Sequence, residues 1–329
     1  MPTAAFVPET HSLSGDDAAA TIAQTGHVRL LRNAFARFRH ADGFSHTRAL
    51  AYTSVTGLVF TLIAVIGLAT LLGLRAFESA ISGTIQRLAP SGTGSVLAQA
   101  IQHAEHGSGV AAFVFGGASA VFVGVVGMAQ VERSANRIYG VLTDRPFLRR
   151  YVHALGMYLV AGIPLLIGLV LLALGGALGD ALTSAAGWSH SWSTAWGIGR
   201  WPVGIAAIWV AVTILFRRAP SRRQPEPSWL AVGTLLAVGL WVIFTVALGL
   251  YYSLDHTAES TYGPLVGLIA VMVWAYLSSL AIHLGMAFAA ELEAARSGPS
   301  PGVTIIVHGD EEPELHAPNG AEMREAHGH

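Results

Sequence analysis

Apolar positions in this chain gather into six long runs, at 49–74, 109–131, 151–178, 201–216, 228–254 and 263–290. A helix rises about 1.5 Å per residue, so about twenty apolar residues cross a hydrocarbon core of about 30 Å. Each run therefore predicts a spanning helix. The fourth is the shortest; Pro202 suits its first helical turn, and Arg200 with Trp201 makes an interfacial anchor. Ahead of the first run, Val28, Leu31, Phe35 and Phe38 recur at helical spacing among Arg29, Arg32, Arg37 and Arg39. That pattern predicts a basic amphipathic helix over 28–40, lying on the lipid surface or packed on the protein's own loops. Between the first two runs, Phe77, Ile81, Ile85 and Leu88 predict a short helix and 96–104 a second, together capping that end of the bundle. Residues 1–27 lack a sustained apolar period, and 297–329 are rich in Pro, Gly and acid, so both are expected to be disordered tails. The expected fold is all-α and polytopic: a bundle of six transmembrane helices over 28–296 with short amphipathic surface helices.

Within the runs, small residues recur four apart at Gly116, Ala120 and Gly124 and again at Ala281, Gly285 and Ala289, which lets helix backbones approach closely. Pro164 falls inside the third run and should bend or locally open that helix, either as ordinary membrane-helix irregularity or as part of a cavity.

Composition sharpens this picture. The 329 residues are 53% hydrophobic and 12% charged, with a mean hydropathy of +0.53, well outside the range of soluble domains. Cysteine is absent, which excludes disulfides, thiol nucleophiles and cysteine-ligated metals. All 19 basic residues are arginine, and they alternate in number between the runs: five in 1–48, two in 75–108, five in 132–150, one in 179–200 and four in 217–227. Cationic loops resist export, so the arginine-rich segments and both termini are expected in the cytoplasm.

The densest of these segments is 132–150, where Arg133, Arg137, Arg145, Arg149 and Arg150 face only Glu132 and Asp144. Asn136, Arg137, Tyr139, Arg145, Arg149 and Arg150 are candidates to meet lipid headgroups; the competing reading makes them topology determinants and caps of helix ends. His283 lies deep in the sixth run, and an ionisable group at that depth is by default a functional candidate for a substrate path, or else a histidine bonded to a neighbouring helix. Catalytic chemistry finds little support. His103, Glu105 and His106 lack the one-face spacing of a zinc helix, and the chain has no phosphate-binding glycine loop and no nucleophile elbow. No catalytic residue, metal, cofactor or nucleic-acid partner is expected; the expected partners are membrane lipids.

Asn136, Arg137, Ile138, Tyr139 and Gly140, followed by Arg145, Pro146 and Phe147, resemble the YihY/BrkB family of bacterial inner-membrane proteins, once labelled ribonuclease BN-like. Phe216, Arg217 and Pro220, then Gly233 and Trp241, then Tyr262, Gly263, Trp274 and Gly285 continue the resemblance in order over roughly 48–296. It implies six membrane helices and an envelope role. The chain departs from the family pattern at Gly57 and Phe60, where relatives tend to carry serine and proline. It departs again after Gly285, where Met286 and Ala287 stand in place of an acidic residue. Two functions are expected from these readings: transport or flipping of a lipid or other amphiphile, or a non-transporting envelope-integrity or scaffold role.

Overall fold

The computed structural model describes residues 6–10, 12–73, 109–176, 178–179, 183, 190–254 and 265–297. Its helices are α1 (Gly15–Thr25), α2 (His27–His40), α3 (Gly43–Leu71), α4 (Gly109–Tyr139), α5 (Phe147–Ala173), α6 (His190–Arg218), α7 (Pro227–Leu254) and α8 (Leu265–Ser297). The last six are each long and apolar enough to cross a membrane. Hydropathy therefore read the spans directly. The loop expected at 75–108, the tail from 298 on, and Tyr262 and Gly263 lie outside the described residues.

Two helices differ from expectation. α6 begins at His190, about three turns before the run at 201–216, and Pro202 lies inside it rather than in its first turn. A membrane helix tolerates an internal proline because neighbouring groups re-satisfy the carbonyl it frees. Gly15–Thr25, within the stretch expected to be a tail, forms α1, which packs on α7 and α8. Its apolar content is low, but the Asp17 carboxylate accepts from the Ser14 N–H at 3.1 Å and the Ser14 hydroxyl at 3.0 Å, fixing the first turn. Ala18 and Thr21 are then buried.

The amphipathic helix α2 satisfies both readings of its sequence at once. Leu30, Ala34 and Phe38 are buried, and α2 packs on α8, while Val28, Leu31 and Phe35 remain exposed beside Arg29, Arg32 and Arg39. It has one face for the protein and another apolar, cationic face suited to a lipid surface.

The spans pack as three antiparallel hairpins, α3 with α4, α5 with α6, and α7 with α8; contacts of α4 with α5, α6 with α7 and α8 with α3 close a ring. Hairpin closure depends on missing side chains. A Cβ at Gly116 would sit 2.6 Å from the Ala64 nitrogen, and one at Gly168 would sit 2.8 Å from the Gly204 oxygen. Across α7 and α8 the approach is reciprocal: a Cβ at Gly285 would lie 2.7 Å from the Gly233 oxygen, and one at Gly233 would lie 2.9 Å from the Gly285 oxygen. In lipid the hydrophobic effect gives helices little reason to associate, so such backbone contact supplies the packing energy.

Burial is uneven along the ring. The buried residues of α6, α7 and α8 concentrate in Ile208–Ala219, Trp229–Val238 and Ala281–Glu293, all at the end that carries the arginine-rich loops. Elsewhere the helices are exposed: at most 28% of the most apolar stretch of any span is buried within the chain. On α3, Tyr52 and Val59 are exposed on one face and Ser54 and Leu58 on a face about half a turn away. α3 is thus covered by α4 and α8 on part of its circumference only, and α4 and α8 also touch each other.

Replacing Gly285 with valine should destabilise the protein by about 1–3 kcal/mol, because branched carbons would meet backbone that cannot yield. Gly117, whose added Cβ would meet nothing within 4 Å, should accept alanine without loss. Thermal unfolding in detergent, followed by loss of monodisperse protein, checks the pair; equal sensitivity at both positions would contradict the close crossing.

Candidate functional site

Carboxylates near the C-terminal end of a helix oppose its dipole and, once buried, require cationic partners. Glu132 stands in the penultimate turns of α4 and Glu291 and Glu293 in those of α8. All three meet arginines from other elements, and the result is a layer of ion pairs across one end of the ring.

The first part of the layer centres on Glu132, which is wholly buried. Its Oε2 lies 3.0 Å from Arg145 Nη1 and its Oε1 lies 3.9 Å from Arg150 Nε. Arg150 Nη2 also pairs with Asp144 at 2.9 Å. Asn136 donates from Nδ2 to Asp144 Oδ1 at 2.7 Å and to Ser221 Oγ at 3.1 Å, and accepts the Ser221 backbone N–H at 2.7 Å. Arg145 completes the seam by donating to the carbonyls of Ala219 and Pro220, each at 3.3 Å. The α4–α5 and α6–α7 connections are thus fastened together.

Backbone geometry positions this seam. Gly140 takes φ +70°, a left-handed conformation that favours glycine, and the Val141 N–H returns to the Asn136 carbonyl at 2.8 Å. Pro146, at φ −54°, then starts α5 and sets Arg149 and Arg150 in its first turn.

The second part centres on Glu293, also wholly buried, which accepts from Arg222 Nη2 and from the Thr10 hydroxyl, both at 2.5 Å. Arg222 donates to the carbonyls of Val7 at 3.0 Å and Pro8 at 3.2 Å, and its guanidinium stacks 4.8 Å from the Tyr139 ring centroid. The Val7 N–H donates to the Tyr139 carbonyl at 3.1 Å. Alongside, Arg37 Nε donates to Glu291 Oε2 at 2.9 Å and its Nη1 to the Ile138 carbonyl at 3.2 Å. Residues 6–10 therefore lie across the end of the ring as a strap, with α1 behind them. Arg296 meets Asp17 at 3.3 Å. The Ser14 backbone N–H, then its hydroxyl, then Arg296 hold the Asp17 carboxyl below the usual range.

A third polar group lies deeper. His283 is buried and its Nδ1 is 2.7 Å from the Ser279 carbonyl, while Nε2 has no partner. Across from it on α3, His46 Nδ1 is 2.8 Å from Gln130 Nε2, and the Thr47 hydroxyl is buried without a partner.

A family profile described as Virulence factor BrkB matches residues 34–302, enclosing all six spans and every ion pair except those made by the N-terminal segment. The chain belongs to the BrkB family. Over 258 residues it is 25% identical to a Bacillus subtilis protein named ribonuclease-like protein YfkH, an alignment covering 78% of this chain and 93% of that one. It is 28% identical over 260 residues to a UPF0761 membrane protein of Alkalilimnicola ehrlichii, covering 77% of this chain and 55% of the relative, so it spans about half the length of that protein. No solved structure matches. Family membership and the six apolar helices make this a multi-pass membrane protein embedded in lipid.

The family motif divides by burial. Asn136 and Tyr139 are inside the layer, Arg145 and Arg150 are engaged by carboxylates, Arg137 is half-buried, and Arg149 is exposed. Trp274 donates from Nε1 to Thr245 Oγ1 at 3.2 Å, tying α8 to α7. Pro164 lies inside α5, away from these groups. Sequence reasoning counted Glu132 as a charge and passed over Arg222, Glu291 and Glu293. Their signal was available, since an acidic residue in the last turns of a membrane helix needs a cation nearby.

Removing one partner of the buried Arg222–Glu293 pair leaves an uncompensated charge, so Arg222→Met should cost about 3–5 kcal/mol, and adding Glu293→Met should recover most of it. Chemical unfolding of both variants measures the difference, and additive losses would show that the two groups do not couple. A carboxylate with a lowered value stabilises the fold above the ordinary carboxylate range, a contribution lost as pH falls through that lowered value. Protection of the α1 amides, taken relative to their intrinsic exchange rates at each pH, should therefore fall in acid, and should already be low at neutral pH in Asp17→Asn.

Proposed function

We infer that this protein sits in the bacterial cytoplasmic membrane with both termini inside, and moves or presents an anionic lipid or related amphiphile of the envelope without chemically changing it. The observation that carries the reading is the arrangement of the six spans: α3 keeps exposed faces on two sides, and one end of the bundle is shut by ion pairs between separate helices. Movement across a membrane requires a closure that can be made and broken, and charge pairs between rigid helices suit that requirement.

Orientation follows from charge. Arg29, Arg32, Arg39, Arg149, Arg217 and Arg218 are exposed around the closed end, which favours the anionic inner leaflet. With Arg145 and Arg150 committed to Glu132 and Asp144, headgroup recruitment falls first to this exposed ring and to Arg149. His283, buried with Nε2 unpartnered, is a candidate to meet a substrate along the sixth span. The scaffold reading retains one observation in its favour: His283 is the deepest ionisable group of α8, and the paired layer serves equally well as a permanent weld.

Single cysteines test orientation: Leu142→Cys and Glu226→Cys should label only from inside, and Ser108→Cys and Asp255→Cys only from outside. Proteoliposomes test movement. Fluorescent phosphatidylglycerol should become bleachable by dithionite beyond the outer-leaflet half in vesicles holding the protein. Correctly oriented protein that leaves that fraction at the empty-vesicle value would replace transport with the scaffold role.

A further inference from the structure

A second site lies at the opposite end of the ring, between the far ends of α5 and α6. There a cavity of about 470 Å³ is lined by Leu171, Trp192, Trp196, Val203 and Arg200 among other residues. That volume suits a drug-sized ligand or a lipid headgroup region. The walls are apolar and aromatic, and among the described residues the charged lining group is Arg200.

Arg200 differs from the other described arginines. Those at the closed end meet carboxylates or carbonyls or stand in solvent, whereas Arg200 Nε is buried with no hydrogen-bond partner, and its one contact of electrostatic kind is the Trp201 ring, 5.5 Å from Cζ. Its side chain is seated on purpose-built backbone. A Cβ on Gly175 would come within 2.9 Å of Arg200 Cδ, and one on Gly176 within 2.9 Å of Nη1. Trp196 Nε1 is already spent on the Gly175 carbonyl at 2.6 Å, so the guanidinium is the donor left to a ligand.

We propose that this cavity binds the phosphate of an anionic membrane phospholipid, with Arg200 as its headgroup ligand and Trp192, Trp196 and Val203 against its glycerol and upper acyl segment. A free phosphate would meet one guanidinium and turn its remaining oxygens to indole and alkyl groups, an unfavourable exchange for water. A phospholipid satisfies both surfaces, and the tryptophans place the site at the depth where headgroups lie. The planar fork of arginine pairs phosphate bidentately, and an apolar setting strengthens that pairing. The site goes beyond the proposed movement of lipid, because occupancy here requires no transport.

The test uses full-length protein in phosphatidylcholine nanodiscs containing a small fraction of phosphatidylglycerol with brominated acyl chains, read as quenching of tryptophan fluorescence. The share due to this cavity is the signal lost in Trp192→Phe/Trp196→Phe. Brominated phosphatidylglycerol should quench that share at roughly ten-fold lower mole fraction than brominated phosphatidylcholine, the scale of one charge-assisted pair. Arg200→Gln should erase the difference, and Gly176→Val, which displaces the guanidinium without removing charge, should do the same if Arg200→Gln does not fold. Equal quenching by both lipids in the parent, or a preference that survives both variants, overturns the proposal. Loss of the preference on adding millimolar inorganic phosphate also overturns it and assigns the cavity to a soluble anion. A lipid preference without movement in proteoliposomes leaves this site standing and removes only transport.

Discussion

Two carboxylates that no solvent reaches govern the rest of this structure. Glu132 and Glu293 each sit near the negative end of a helix dipole and inside protein, two conditions that disfavour a negative charge. They persist because arginines arrive from elsewhere in the chain: Arg145 and Arg150 from the start of α5, Arg222 from the α6–α7 connection. Satisfying these charges forces connections between spans to meet at one level, and that meeting closes the ring. Family residues that look like surface determinants, Asn136 and Tyr139 above all, are therefore inside the seam.

The far half of the ring obeys a different rule. There the helices hold together through backbone contact at glycine, with Gly67 and Gly116 between α3 and α4 and Gly168 and Gly204 between α5 and α6. Dispersion contacts of this kind bind neighbours in pairs but provide no closure between hairpins. The molecule thus has one end fixed by directional, charged interactions and another assembled from separate hairpins.

Spans were legible in the sequence because lipid demands long apolar helices, and a sixteen-residue run such as 201–216 misled only about where α6 begins, since Gly197, Gly199 and Arg200 dilute its hydropathy. α1 was not legible: its eleven residues owe their order to Ser14 and Asp17 and to docking on α7 and α8, which composition does not encode. The ion-pair layer was half legible. Arginine counts marked the end it occupies, but partner choice between Glu132, Asp144, Glu291 and Glu293 depends on which loops meet in space, and that is set by the order of hairpins around the ring.

The strap explains why the layer is charged when an apolar seal would be cheaper to bury. Well-packed hydrophobic groups often match or exceed a buried ion pair in stability, so the charges matter here less for net stability than as directional links that fix which elements meet. Arg222 is held simultaneously by Glu293, by the carbonyls of Val7 and Pro8 and by the Tyr139 ring, so one guanidinium joins the strap and the α6–α7 connection to α4 and α8. Thr10 donates to Glu293 beside Arg222, so residues of the strap satisfy both partners of the buried pair. Residues 6–10 precede the span matched by the family profile, whereas Tyr139, Arg222 and Glu293 lie within it, so the strap docks on groups that the BrkB-family region supplies.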